Sequence, residues 1–246
     1  NDFKLIYKHQ ASNNKNMQSI IFKSFVILLV SHLLIESVFA NKFEHFYREK
    51  GLSQATVSSL LVDQNGYLWV GTNDGLNRFN GYDFEVFKAN DNVKDSILAS
   101  NITTLYQDTE GVLWVATVSG VNTFNRKLNT FNDIKVVNEH LGKTEAKVIK
   151  INEVSDNDII FATDKGGFTF DKQSQTISEI NISHESTGKI STLFKAKETL
   201  WASLNNGDLG YLEGTRFKTV FNGFDVTNAF ISLEEELWLG TVNGLV

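Results

Sequence analysis

The sequence predicts an all-β fold, a β-propeller of four-stranded antiparallel blades. Three observations carry that prediction: a unit recurring about every 40 to 45 residues, one tryptophan at a fixed place in most units, and turn residues at hairpin spacing between short apolar strands. The chain has 246 residues, 41% apolar and 12% aromatic, enough to bury a large core and too apolar for a disordered chain.

The first unit, VSSLLVDQNGYLWVGTNDGLNRFNGYDFEVF, runs from Val57 to Phe87. The second, ITTLYQDTEGVLWVATVSGVNTFNRKLNTFN, runs from Ile102 to Asn132 and is displaced by 45 positions throughout without a gap. A third begins at Val148 and puts Ile160 where the tryptophan belongs; a fourth begins at Ile190 and restores Trp201; a fifth begins at Val226 and restores Trp238. The blades are therefore placed near 57–87, 102–132, 148–178, 190–221 and 226–246, within a partial propeller spanning 41–246. The fifth unit stops in mid-blade, so the predicted propeller is incomplete, about five blades with the last truncated, and the natural protein is expected to continue past Val246.

Within the first unit an apolar strand, Val57 to Val62, meets a turn at Asp63-Gln64-Asn65-Gly66. A second strand runs from Tyr67 to Thr72, a turn follows at Asn73-Asp74-Gly75, and strands Leu76 to Phe79 and Phe84 to Phe87 join through Asn80-Gly81. Gly66, Gly75, Gly111, Gly120, Gly207 and Gly244 fall where a hairpin needs positive φ. The second strand, LWVGT, is apolar at consecutive positions, which calls for cover on both faces. Blades stacked around an axis give that cover, with Trp69, Trp114, Trp201 and Trp238 as wedges between neighbours. Phe43 to Tyr47, leading into Gly51-Leu52-Ser53, repeats the exit from a fourth strand and is expected to lend a closing strand to the last blade.

Residues 1–16 are polar and lack an initiating methionine, and are set aside as an upstream segment without a folded role. From Met17, the single methionine, Lys23 precedes an apolar run from Phe25 to Ile35 that ends at Val38-Phe39-Ala40. Residues 17–40 have the form of a signal peptide cleaved after Ala40; the alternative is a retained anchor or a buried helix.

The formal charge of −6, without a clustered basic stripe, argues against nucleic acid as a partner. Without cysteine there are no disulfides and no thiolate metal sites. His45, His140 and His184 show no metal-ligand spacing and are read as surface or loop residues. The Asp63–Gly66 stretch lacks the acidic run and terminal Glu of a calcium loop. Glu234, Glu235 and Glu236 fall in a hairpin turn, and no catalytic motif appears, so neither a metal nor a cofactor is expected and the segment is read as non-catalytic.

The Asp/Gly turn, LWVGT, GLNRFNG and an aromatic fourth strand closely resemble the two-component regulator propeller repeat, and GLS at Gly51 to Ser53 resembles that family's N-terminus. The departures are Ile160 for Trp, Ala116 and Ala162 for Gly, and Ala202-Ser203 in the fourth unit. The resemblance implies the exported ligand-sensing region of a transmembrane two-component receptor on the periplasmic side of the inner membrane. It also implies attachment through a region C-terminal to these residues, a histidine kinase or diguanylate cyclase output domain, a glycan or other small-molecule input, and a possible receptor dimer. A secreted propeller enzyme such as a polysaccharide lyase, or a protein-binding scaffold, is the alternative. The binding rim would carry Asn73, Asp74, Ser119, Asp164, Asn205, Asn206 and Asn243 beside the stretch Lys88 to Asn101, although hairpin turns favour Asn and Asp on their own account.

Overall fold

The computed structural model describes residues 50–182, 188–223, 226–231 and 236–245. His45, His184, Phe43 to Tyr47, the signal segment 17–40 and Glu234–Glu235 lie outside them.

The described chain forms a β-propeller of four four-stranded meanders and one three-stranded sheet. Blade one is β1 (Val57–Val62), β2 (Leu68–Thr72), β3 (Gly75–Phe79) and β4 (Phe84–Phe87). Blade two is β5 (Ile102–Gln107), β6 (Leu113–Thr117), β7 (Gly120–Asn125) and β8 (Thr130–Asp133). A helix, α1 (Lys135–Thr144), intervenes before blade three: β9 (Val148–Glu153), β10 (Asp158–Thr163), β11 (Gly166–Asp171) and β12 (Thr176–Glu179). Blade four is β13 (Ile190–Ala196), β14 (Thr199–Leu204), β15 (Leu209–Glu213) and β16 (Arg216–Phe221), and β17 (Val226–Ile231), β18 (Leu237–Thr241) and β19 (Gly244–Leu245) follow.

Register shows that the repeat is structural to the residue. Trp69 stands opposite Leu61, Trp114 opposite Tyr106, Ile160 opposite Asn152, Trp201 opposite Phe194 and Trp238 opposite Phe230. The ladder is interrupted at the same place, near the start of the first strand, in every blade. A bulge there bends the strand and raises its twist. First strands of successive blades contact one another, β1 with β5, β5 with β9, β9 with β13 and β13 with β17, which makes them the inner wall of the arc.

The core lies between blades. Trp69 and Leu76 of blade one pack with Ile102, Leu105, Val115 and Phe124 of blade two, and Trp114 and Val121 of blade two with Ile151, Phe161 and Phe168 of blade three. The second strands are accordingly shielded along most of their length in blades one to three. Trp69 is 0% and Trp114 2% exposed, each covered by the blade that follows its own.

Two glycines show what the packing demands. Gly66, with φ +83°, closes the β1–β2 turn by donating its N–H to the Asp63 carbonyl at 2.8 Å. Gly71 has ordinary backbone, but a Cβ there would stand 2.7 Å from Cγ2 of Ile102 on the next blade. Gly71→Ala is therefore expected to cost about 1–3 kcal/mol by overpacking, read as a lower urea midpoint with an unchanged slope.

The helix was not foreseen from the sequence. It buries only Val137 and Leu141, one turn apart, and ends at Glu145 with φ +51°. Asn138 ties it to blade two: its Oδ1 accepts the Val121 N–H at 2.7 Å and its Nδ2 donates to the Val121 carbonyl at 2.8 Å, as a neighbouring strand would.

Candidate functional site

In blades one, two, three and five the turn after the second strand is built around a threonine, whereas blade four has Leu204 there and a longer turn through Asn205 to Asp208; the rim residues occupy these turns. Thr72 Oγ1 donates to the Gly75 carbonyl at 2.9 Å and accepts the Asp74 N–H at 3.1 Å. Thr117 does the same for Gly120 and Ser119, Thr163 for Gly166 and Lys165, and Thr241 for Gly244 and Asn243. Since every blade has one meander topology, these turns sit on one edge of the propeller, which places Asn73, Asp74, Ser119, Asp164, Asn205, Asn206 and Asn243 along that edge.

Four of the seven have structural work there. Asp164 Oδ1 accepts the Lys147 N–H at 2.7 Å and Asn205 Oδ1 the Lys189 N–H at 2.8 Å, each holding the chain as it enters the first strand of its own blade. Asp74 pairs with Lys88 at 2.7 Å, and Asn206 is bonded to Asp208. Asn73, Ser119 and Asn243 are exposed. The stretch Lys88 to Asn101 is anchored as well: Asp95 accepts the Phe131 N–H through its carbonyl at 2.8 Å, and Ile97 is 3% exposed.

Sequence reasoning passed over Asn77 and Asn122, both buried and 45 positions apart. Asn77 Oδ1 accepts the Ser53 N–H at 2.8 Å and Asn122 Oδ1 the Leu98 N–H at 3.0 Å, so the third strand holds the segment that enters its own blade. Their common place in GLN and GVN was the available signal.

The opposite turns carry a second repeated device. Asp63, buried at 4% exposure, accepts the Trp69 indole N–H on Oδ2 at 2.7 Å and the Asn65 and Tyr67 amides on Oδ1. Arg126 of blade two donates to the same Oδ2 at 2.9 Å. Asp108 repeats it with the Trp114 indole at 2.9 Å and Lys172 of blade three at 3.5 Å. Beside each, the end of the next blade's first strand takes a turn amide of the preceding blade: Gln107 accepts from Gln64, and Glu153 from Thr109. In blade three Ile160 replaces the Trp and register puts Val154 in place of the Asp, so the pair is lost together.

Burial works to raise the Asp63 pKa, yet the bonds from Trp69, Arg126 and the two amides hold it below the ordinary carboxylate value. Burial likewise opposes charge on Lys172, but Glu110 and Asp108 prevail and raise its pKa. Burial and the nearby Glu153 push the Tyr106 hydroxyl up to about 12.

His140 is neither a loop residue nor freely exposed. It lies on α1, 3.2 Å from the Glu179 carboxylate and edge-on to Phe168 with ring centres 4.6 Å apart. No helix among the described residues is long and apolar enough to cross a membrane.

The family model described as Two component regulator propeller matches residues 51–74 and 96–119, two segments related by the 45-residue shift. A curated relative named Histidine kinase P4, from Formosa agariphila, is 40% identical over 76 residues, which is 30% of this chain and 6% of that protein. The extracellular domain of a one component system from B. thetaiotaomicron is similar at 19% identity and TM-score 0.64, with 82% of this chain matching 31% of it. Virginiamycin B lyase from Staphylococcus aureus matches 78% of this chain and 69% of its own at 12% identity and TM-score 0.55. The extracellular domain of a hybrid two component system from B. thetaiotaomicron matches at 18% identity and TM-score 0.50, over 82% of this chain and 34% of its own. The chain thus spans about a third of the two B. thetaiotaomicron domains and far less of the kinase.

Proposed function

We propose, on the premise that this chain carries two-component regulator propeller repeats, that it is the extracytoplasmic ligand-sensing part of a transmembrane signalling receptor. The observation that carries this reading is the coincidence of both family matches with the blade-entering segment, second strand and rim turn of blades one and two. The similarity to a protein named as a histidine kinase supports a kinase as the output domain. The extracellular setting of the B. thetaiotaomicron domains supports placement on the periplasmic side of the inner membrane. The input is a small molecule or glycan fragment held by hydrogen bonds from the rim turns, and the propeller itself performs no reaction.

The test is a chimera in which the reading frame containing these residues, taken to its natural stop, drives a transcriptional reporter. Growth on the inducing polysaccharide is expected to raise the reporter at least about tenfold, and replacing Asn73, Ser119 and Asn243 together by alanine is expected to abolish the rise. A frame encoding neither a membrane helix nor a kinase or cyclase domain would sink the receptor reading. Mass spectrometry of the exported protein is expected to show Asn41 as its first residue.

A further inference from the structure

Between blades one and two the Arg78 guanidinium, on β3, fills a slot walled by four rings. Its central carbon stands 5.2 Å from the centre of Tyr67, 5.5 Å from Trp69, 5.7 Å from Phe87 and 5.5 Å from Phe124. Glu85, opposite it on β4, meets its charge. A cation over aromatic faces, neutralised at one edge, is a stable arrangement in a partly dry site.

Register carries each position to the next interface. Tyr67 corresponds to Val112, Trp69 to Trp114, Phe87 to Ile134 and Phe124 to Phe170. These four residues line a cleft of about 390 Å³ between blades two and three. The filling side chain differs: Thr123 occupies the place of Arg78, and its hydroxyl lies 3.5 Å from Nδ2 of Asn132, which occupies the place of Glu85. The cleft is the arginine slot of the first interface, with two of its aromatic walls kept and no arginine of its own.

Its surroundings favour a cation. Asp133 and Lys135 are at the lining, and the Lys172 ammonium there is met by Glu110 at 2.7 Å, Asp108 at 3.5 Å and Glu153 at 3.8 Å. At the cleft and its edge four carboxylates therefore face two lysines, and Asp133, the one carboxylate at the lining, stands outside the three that meet Lys172.

We propose that this cleft binds an alkylguanidinium group supplied by another molecule, seated against the edge-to-face pair Trp114 and Phe170 as Arg78 is seated against the edge-to-face pair Trp69 and Phe124. The site lies between blades and does not depend on the sensor reading. Calorimetric titration of the whole chain with butylguanidinium and with its neutral isostere butylurea tests it, and butylguanidinium is expected to bind at least about tenfold more tightly. Thr123→Arg supplies the missing group internally and is expected to abolish binding while raising Tm. Gln175→Lys, an exposed change at the mouth, is expected to weaken binding by about tenfold at low salt, and it keeps the test decisive if Thr123→Arg does not fold. Comparing agmatine with the tripeptide Gly-Arg-Gly separates a free metabolite from a partner's arginine as the source. Equal affinity for butylurea, undiminished binding by a folded Thr123→Arg protein or by Gln175→Lys, or no binding of butylguanidinium at millimolar concentration would overturn the proposal.

Discussion

Replacing Trp69 by alanine is expected to lower the unfolding free energy by about 3–5 kcal/mol, the range for emptying a large buried aromatic site. The indole is 0% exposed, lies edge-on to Phe124 with centres 4.9 Å apart, and stacks against Phe87 at 5.9 Å. It also carries the Arg78 guanidinium on its face. Removing it leaves a cavity between two blades that the surrounding side chains fill only in part. The same change at Tyr82, which is 90% exposed, is expected to cost about 0.5 kcal/mol or less. Urea unfolding of the two variants side by side checks this, and equal losses would contradict the placement of the core between blades.

Asp63→Ala is expected to cost about 2–3 kcal/mol, because hydrogen bonds to a charged acceptor are lost and the buried indole N–H is left without one. Three donors from its own turn and strand and the Arg126 guanidinium converge on this carboxylate. Its folded pKa lies below the unfolded value, so its contribution is fully present above about pH 4 and is lost as pH falls through the lowered folded value. The wild-type chain is therefore expected to lose stability steeply below about pH 4. Asp63→Asn, which cannot be charged, is expected to be less stable at neutral pH and to show a shallower acid limb. An acid limb of unchanged steepness would mean that other carboxylates dominate the transition.

The blades were legible because their signals are local and repeated: LWVGT and LWVAT are strands in which every residue except Leu68 is buried, and the 45-residue shift fixes which residues correspond. The placement of Ile160 in the tryptophan position was legible for the same reason. The helix Lys135–Thr144 was not, since it offers only Val137 and Leu141 as a periodic apolar pair and is held by Asn138 bonding to a strand of blade two. Nor was the coupling of Asp63 to Arg126, 63 residues apart, since sequence spacing says nothing of which hairpin ends meet across an interface. At the rim, Asp164 and Asn205 hold the backbone of the connection that leads into their own blade, a role that composition cannot tell from ligand binding.

The order in which the tryptophans are covered has a consequence for synthesis. Trp69 is shielded by blade two and Trp114 by blade three, and the cations that complete Asp63 and Asp108 also come from the blade that follows. Wherever the chain emerges from its N-terminus, blades one and two must then wait with an open indole face until the blade that follows has emerged. Completion lags emergence by one blade, and a pause behind either of them leaves one aromatic surface exposed at the growing end.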